Sequence, residues 1–98
     1  MHDLINKLEA WEATSELFKM LSSETRVAMV MALQDGPLSV GALADRLGLN
    51  QAVVSHQLKS MRYLNIVCAK RQGRCVIYML KNPDLIELIK TAQKLVEI

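Results

Sequence analysis

The sequence predicts a mainly α-helical domain with a small β-hairpin, in the order α-α-α-α-β-β-α. Two short helical patterns separated by a break at Gly48-Leu49-Asn50 indicate a helix-turn-helix over 39–64. Two runs rich in β-forming residues follow within 66–80, and Gly73 between them can supply the positive φ of a hairpin turn. A hairpin directly after this motif is typical of a winged helix-turn-helix. A length of 98 residues indicates one domain, 1–98, with a short strand also expected near Leu38.

Capping residues predict where the inner helices begin. Ser22 and Ser23 can cap a helix over 24–34, which Gly36 and Pro37 end. Ser39 can cap a short helix over 40–47, and Asn50 can cap a helix over 51–64. In that last helix Val54, Leu58 and Met61 recur at helical spacing and are expected to be buried together.

The first and last helices, predicted over 3–21 and 84–97, carry broad apolar stripes. The last begins after Asn82-Pro83, an N-cap residue followed by a residue that suits the first helical turn. The chain is 51% hydrophobic, which is generous for so small a monomer. We therefore predict a homodimer formed by these two helices. The predicted interface residues are Leu4, Leu8, Trp11, Leu85, Leu88, Ile89, Ala92 and Leu95.

Charge is unevenly distributed along the chain. Residues 1–35 hold three basic and six acidic side chains, residues 36–81 hold seven and one, and residues 82–98 hold two and three. The segment charges are therefore −3, +6 and −1, which sum to the net charge of +2. A basic middle between acidic ends suits a surface that binds a polyanion.

The predicted helix-turn-helix and hairpin carry the side chains that DNA recognition requires. The major groove admits one helix, whose side chains read base edges by hydrogen bonds, while basic residues on a wing reach phosphates or the minor groove. The side of helix 51–64 opposite Val54, Leu58 and Met61 is expected to present hydrogen-bond donors, namely Gln51, Ser55, Lys59 and Arg62, flanked by His56. The predicted contacts with double-stranded DNA are Ser39, Gln51, Ser55, His56, Lys59, Arg62, Lys70, Arg71 and Arg74.

Four segments resemble the ArsR/SmtB family of bacterial repressors. The segments 38–44 and 50–59 are similar to the family's helix-turn-helix, Gly73-Arg74 with 76–78 to its wing, and 18–26 to the junction before its second core helix. The resemblance covers about residues 15–90. It implies a homodimer that represses a nearby operon and is released by a metal ion or by a redox or sulfur signal.

The sequence departs from the metal sensors of that family, which carry cysteines in the helix before the turn or Asp and His pairs on the last helix. Helix 40–47 has no cysteine here, and the last helix has Asp84, Glu87 and Glu97 without histidine or cysteine. Borderline metals need thiolate or imidazole ligands. We therefore predict no metal site and no cofactor, and His2 is expected to be a plain terminal residue.

Cys68 and Cys75 leave two interpretations open: ordinary strand residues, or a redox pair that makes the repressor thiol-responsive. If Gln72-Gly73 forms the turn, Lys70 opposes Cys75, and the two cysteines lie diagonally on one face. Diagonal neighbours are about 7–8 Å apart, whereas a disulfide needs Cα atoms within about 6.8 Å. Packing is the favoured interpretation, and the inducer is left undetermined.

Other classes of function fit less well. The sequence has no Gly-rich phosphate loop and no nucleophile elbow, so an enzyme is not expected. A winged-helix adaptor that binds only proteins is the main alternative, although the basic hairpin argues against it. No segment predicts a membrane span or a signal peptide, and a cytoplasmic location without membrane partners is expected.

Overall fold

The computed structural model describes the backbone of residues 2–97 and the side chains of residues 8–97, so the predicted contact of Leu4 lies outside the described side chains. The helices are α1 (His2–Met20), α2 (Glu24–Ala32), α3 (Val40–Leu47), α4 (Gln51–Tyr63) and α5 (Asp84–Val96), and a 3-10 turn follows α2 at Leu33–Asp35. The strands are β1 (Leu38–Ser39), β2 (Val67–Gln72) and β3 (Cys75–Leu80). The predicted element order and the short strand at Leu38 are confirmed.

Side-chain caps begin the three inner helices where the sequence predicts them. The Ser23 hydroxyl accepts from the Arg26 amide at 3.3 Å, and the Ser39 hydroxyl accepts from the Ala42 amide at 3.1 Å. The Asn50 side-chain oxygen accepts from the Ala52 amide at 2.7 Å. Each cap satisfies an amide that has no partner within its own helix, which fixes the start of the helix.

Residues in the left-handed region end α3 and α4. Gly48 has φ 66°, and the Leu49 amide donates to the Ala44 carbonyl at 2.9 Å. Asn65 has φ 62°, and the Ile66 amide donates to the Met61 carbonyl at 2.9 Å. Both arrangements satisfy carbonyls that the last helical turn leaves free. The stop at Asn65 was not among the sequence predictions.

The three strands form one antiparallel sheet in the order β1-β3-β2. In the hairpin, Gln72 pairs with Cys75 and Lys70 pairs with Ile77, so Gly73 and Arg74 are the two turn residues. The predicted Gln72-Gly73 turn is therefore wrong by one residue. Gly73 has φ 63° and no positive φ occurs at Arg74, a pattern that places glycine first in a two-residue turn.

The core lies between α2, α3, α4, the sheet and α5. As predicted, it includes Val54, Leu58 and Met61 of α4. The remaining core residues are Met20, Met29, Val30, Leu33, Leu43, Ala44, Val67, Leu85, Ile86 and Ile89. Among residues 2–97, no helix combines the length and apolar character needed to span a membrane.

Leu85 and Ile89 belong to this core, with 8% and 9% of their surface exposed. The sequence predicted both as interface residues, but α5 turns them inward, where they join the core that includes Met29 and Val30 of α2. Leu88 is half-buried, whereas Ala92 and Leu95 are exposed. Ile89 also lines an open groove between α1, α2 and α5. A periodic stripe on a terminal helix does not show how far the protomer covers its members itself, and the predicted interface contacts of Leu85 and Ile89 stay a prediction.

Within residues 8–20 of α1, the contacts with this core lie near the C-terminal end, at Leu17 and Met20, and Leu21 just after the helix also packs on it. Every residue from 8 to 16 is exposed, including Leu8 and Trp11. The described part of α1 therefore has apolar side chains, Leu8 and Trp11, that the protomer does not cover. Because helices in proteins owe most of their stability to tertiary packing of an apolar face, this part of α1 is expected to pack against another surface.

Candidate nucleic-acid interface

Helix α4 is held by a continuous buried stripe. Val54, Leu58 and Met61 are completely buried, and helix α3 lies along one flank of α4. With 3.6 residues per turn, this stripe leaves Ala52, His56, Lys59 and Tyr63 farthest from the core. All four are exposed.

The predicted DNA contacts on α4 occupy this exposed face and one flank. His56 and Lys59 lie on the outer face, whereas Gln51, Ser55 and Arg62 lie beside the buried stripe. Gln51 and Arg62 are exposed, and Ser55 is half-buried. The sequence placed Gln51, Ser55, Lys59 and Arg62 directly opposite the core. The structure instead gives a broader surface whose centre is His56 and Lys59.

Gln51 lies against the backbone of α3. A Cβ atom built on Gly41 would be 3.3 Å from the Gln51 side-chain nitrogen, closer than most real contacts. Glycine at this position leaves room for the Gln51 amide beside α3. The position of the Gln51 side chain, which is predicted to contact bases, therefore depends on residue 41 of α3 having no side chain.

Ser39 already uses its oxygen within the protein. Its hydroxyl accepts from the Ala42 amide at 3.1 Å, and its residue pairs with Ile77 of β3. The hydroxyl proton is still free to be donated to an outside acceptor, because a serine hydroxyl is both donor and acceptor. Ser39 is half-buried, at the edge of the predicted contact surface.

The wing presents its three predicted cations at or near the tip. Arg74 is a turn residue, and Lys70 and Arg71 are in the adjoining part of β2. All three are exposed. Lys70 and Arg71 point to opposite faces of the hairpin, since successive strand residues alternate. The tip therefore carries positive charge on both faces.

The two cysteines are not adjacent. Cys68 pairs with Met79 and Cys75 pairs with Gln72, so they share a face but stand four residues apart along it. At about 3.3 Å per residue this is about 13 Å. The predicted diagonal arrangement is wrong because the turn lies one residue later than expected. Both thiols are free; Cys68 is half-buried and Cys75 is exposed.

Among the side chains of residues 8–97, no three of the His, Cys, Asp and Glu groups lie close enough together to hold a metal ion. His56 is exposed on α4, and the two cysteines are on the wing. Helix α5 has acidic residues but contains no histidine or cysteine. The described part of the molecule thus offers cations and hydrogen-bond donors at its candidate site.

The structure adds a contact that periodicity does not reveal. The Arg26 Nε of α2 donates to the Gln57 side-chain oxygen of α4 at 2.8 Å. These residues are 31 positions apart, so no local pattern connects them. Arg26 also lines an open pocket of about 370 Å³ together with Lys59, Ser60, Tyr63 and Leu64. In the sequence, an aromatic residue, Tyr63, at helical spacing from the polar residues His56 and Lys59 was the signal that could have indicated this region.

Comparisons with known proteins place this arrangement among regulators. The family model described as "Bacterial regulatory protein, arsR family" matches residues 23–68. The transcriptional regulator NmtR of Mycobacterium tuberculosis is 32% identical over 84 residues, which are 86% of this chain and 70% of that protein.

Two solved structures have closely similar folds. The transcriptional repressor BigR from Xylella fastidiosa has a TM-score of 0.81 at 28% identity, covering 100% of this chain and 98% of that one. Reduced HlyU from Vibrio cholerae has a TM-score of 0.81 at 26% identity, with coverage of 95% and 98%. In both comparisons nearly the whole of each chain is aligned.

Proposed function

The chain belongs to the arsR family of bacterial regulatory proteins and is a winged helix-turn-helix transcriptional repressor, and we propose that it acts as a homodimer on an inverted-repeat operator. The proposal rests on exposed hydrogen-bond donors that occur both on the outer face of α4 and at the tip of the wing. His56 and Lys59 are exposed on the outer face of α4, and Arg74 is exposed at the wing tip. A groove-reading helix with a basic wing beside it matches the base edges and phosphates of one duplex.

The charge distribution supports the same ligand. The segment from 36 to 81, which forms α3, α4 and the wing, carries seven basic side chains and one acidic one, Asp45. The basic residues on α4 and at the wing tip gain affinity by releasing counterions from the DNA phosphates. Binding should therefore weaken steeply as the salt concentration rises.

A second copy of the chain is the proposed occupant of the uncovered apolar surface. Trp11 has 58% of its surface exposed and Leu95 has 82%. Between α1, α2 and α5 lies an open groove of about 640 Å³ with an almost wholly apolar lining, which includes Phe18, Met31 and Leu88. Two-fold pairing would place the same patch of each protomer against its counterpart.

Such a dimer predicts the form of the operator. A two-fold protein presents two α4 helices to two half-sites, so the half-sites form an inverted repeat. Their centres should be separated by one or two helical turns, with about 10 bp per turn. BigR, which has a similar fold, is likewise described as a repressor.

The release signal is proposed not to be a metal ion bound at the family's usual sites. A tight zinc site takes four ligands, typically cysteine or histidine. The chain has Cys68, Cys75, His56 and His2, and the first three are distributed between the wing and α4. Lys70, Arg71 and Arg74 near the cysteines would repel a cation.

An electrophoretic mobility shift tests the function. The probe is a labelled duplex of the DNA upstream of the chain's own gene, and the control is a duplex of equal length and base composition in scrambled order. Preferential retardation of the upstream duplex at nanomolar protein is expected. Equal retardation of both duplexes would contradict sequence-specific repression at that site.

A further inference from the structure

The contact between Arg26 and Gln57 fixes a cation at the edge of the recognition helix. Arg26 is half-buried in the first turns of α2, and its Nε donates to the Gln57 oxygen at 2.8 Å. A guanidinium has five N–H donors in a planar fork. Among the described residues, the two Nη groups have no hydrogen-bond acceptor, so four of those donors remain to be used.

Four of the five residues that line the open pocket beside Arg26 carry hydrogen-bond donors. These are Arg26, Lys59, Ser60 and Tyr63, and the fifth is the apolar Leu64. Two formal positive charges and no carboxylate line a space of about 370 Å³. An anion with several oxygens is the ligand that this composition fits.

Tyr63 is unusual for its type. It has 87% of its surface exposed, although tyrosine normally buries its ring in a core or an interface. It is the last residue of α4 and lies on the outer face, in line with Lys59 and His56. A phenol in this position can donate to an oxygen atom of a bound partner.

The pocket lies on a definite side of α4. Gln51 faces α3, and Gln57 faces α2, so the two glutamines mark opposite flanks of the helix. The exposed face between them includes His56 and Lys59. A helix in the major groove has a sugar–phosphate strand on each side, and one of these strands would run along the α2 flank.

We infer that Arg26, Ser60 and Tyr63, with Lys59, bind a phosphate of the operator backbone along the α2 flank of the recognition helix. The inference rests on the proposed function and adds a contact made by α2, outside the helix-turn-helix and the wing. The free Nη groups of Arg26 take phosphate oxygens, and the Ser60 and Tyr63 hydroxyls donate to the same group or its neighbour. Contacts of this kind fix the register of the protein on DNA without reading sequence.

Gln57 is a positioning residue for the Arg26 guanidinium. Its side-chain oxygen holds the guanidinium at the flank, so less side-chain freedom is lost when the phosphate binds. Without this bond Arg26 keeps its charge but not its placement. The loss of Gln57 should therefore weaken binding while the number of neutralised phosphates stays the same.

The test measures DNA affinity of the full chain against salt concentration by fluorescence anisotropy, with a labelled 30-bp duplex of random sequence as the probe. Arg26→Gln should weaken binding by roughly tenfold. It should also lower the slope of log affinity against log salt by about 0.9 per phosphate contact, or about 1.8 for two protomers. Gln57→Leu should weaken binding less, keep the slope, and have no further effect when Arg26→Gln is already present.

Lys81→Gln is the matched control. The Lys81 ammonium also donates to a side-chain amide oxygen, that of Asn65 at 3.3 Å, but it lies at the end of β3 remote from the wing tip. The substitution removes the same charge and should leave the slope at the wild-type value. Thermal unfolding followed by circular dichroism shows whether each variant is folded.

The two possible failures give different results. If the wild-type chain binds the duplex and folded Arg26→Gln has the wild-type slope, the phosphate site is wrong and the proposed function stands. If the wild-type chain binds no duplex, both are wrong. An equal loss of slope in Lys81→Gln and Arg26→Gln would also overturn the site, because the effect would then be one of net charge.

Discussion

Cys68 and Cys75 lie on the same face of the wing but four residues apart, since Cys68 pairs with Met79 and Cys75 with Gln72. A distance of about 13 Å along the strands is about twice the Cα separation that a disulfide allows. A bridge within the hairpin would require the register to shift by several residues. The folded wing therefore keeps two separate thiols.

The first prediction concerns oxidation of these thiols. Wild type and a Cys68→Ser/Cys75→Ser double variant should lose equal fractions of DNA binding, or none, after treatment with peroxide or persulfide. The measurement is anisotropy with the upstream duplex, combined with intact mass under non-reducing conditions. A loss of 2 Da within one chain, accompanied by release of DNA from wild type alone, would show that the cysteines form a redox switch.

The limits of prediction from sequence are visible in this hairpin. The existence of the wing and the position of Gly73 in its turn follow from composition and period. The choice between Gln72-Gly73 and Gly73-Arg74 depends on whether glycine takes the first or the second turn position, which composition does not decide. A shift of one position in the turn moved each cross-strand partner by two residues.

Local chemistry was the most predictable part of the fold. Ser23, Ser39 and Asn50 cap helices as expected, because a side-chain cap acts on residues two or three positions away. The burial of Leu58 and Met61 follows from spacing along one helix. The inward placement of Leu85 and the bond from Arg26 to Gln57 depend on elements distant in sequence, and periodicity carries no such information.

The second prediction separates the dimer surface from the core within α5. Leu95→Asp should give folded monomers at micromolar concentration, because Leu95 is 82% exposed and would place a charge in the apolar interface. Ile89→Asp should unfold the chain, because Ile89 is only 9% exposed. Sedimentation velocity and circular dichroism give the two readouts. If the wild-type chain sediments as a monomer at the same concentration, the proposed homodimer is wrong.

The third prediction concerns the left-handed residue after α4. Asn65→Ala should lower the free energy of unfolding by about 1–2 kcal/mol more than Asn65→Gly, since only alanine places a Cβ in the left-handed region. Both variants lose the bond from Lys81, so their difference isolates the backbone. Urea unfolding at one fixed protein concentration measures it. Equal stability of the two variants would show that residue 65 does not keep this conformation.

The fourth prediction uses the glycine beside Gln51. Gly41→Ala should displace the Gln51 amide, because the new Cβ would lie 3.3 Å from its nitrogen, while the helix itself gains from alanine. We expect discrimination between upstream and scrambled duplexes to fall, with no change in the salt dependence. In a Gln51→Ala background the same substitution should have no further effect on discrimination. A further loss there would mean that Gly41 acts on DNA recognition by another route.

In the proposed complex, α4 reads base sequence while the wing binds phosphates. The most direct measurement is the ratio of affinities for operator and scrambled duplexes, compared among wild type, a Gln51→Ala/Ser55→Ala/His56→Ala variant and an Arg71→Ala/Arg74→Ala variant. The α4 variant should lose most of this ratio. The wing variant should keep the ratio but bind both duplexes more weakly, with a smaller salt slope. If an α4 variant that is folded and dimeric keeps the wild-type ratio, α4 does not read the base sequence.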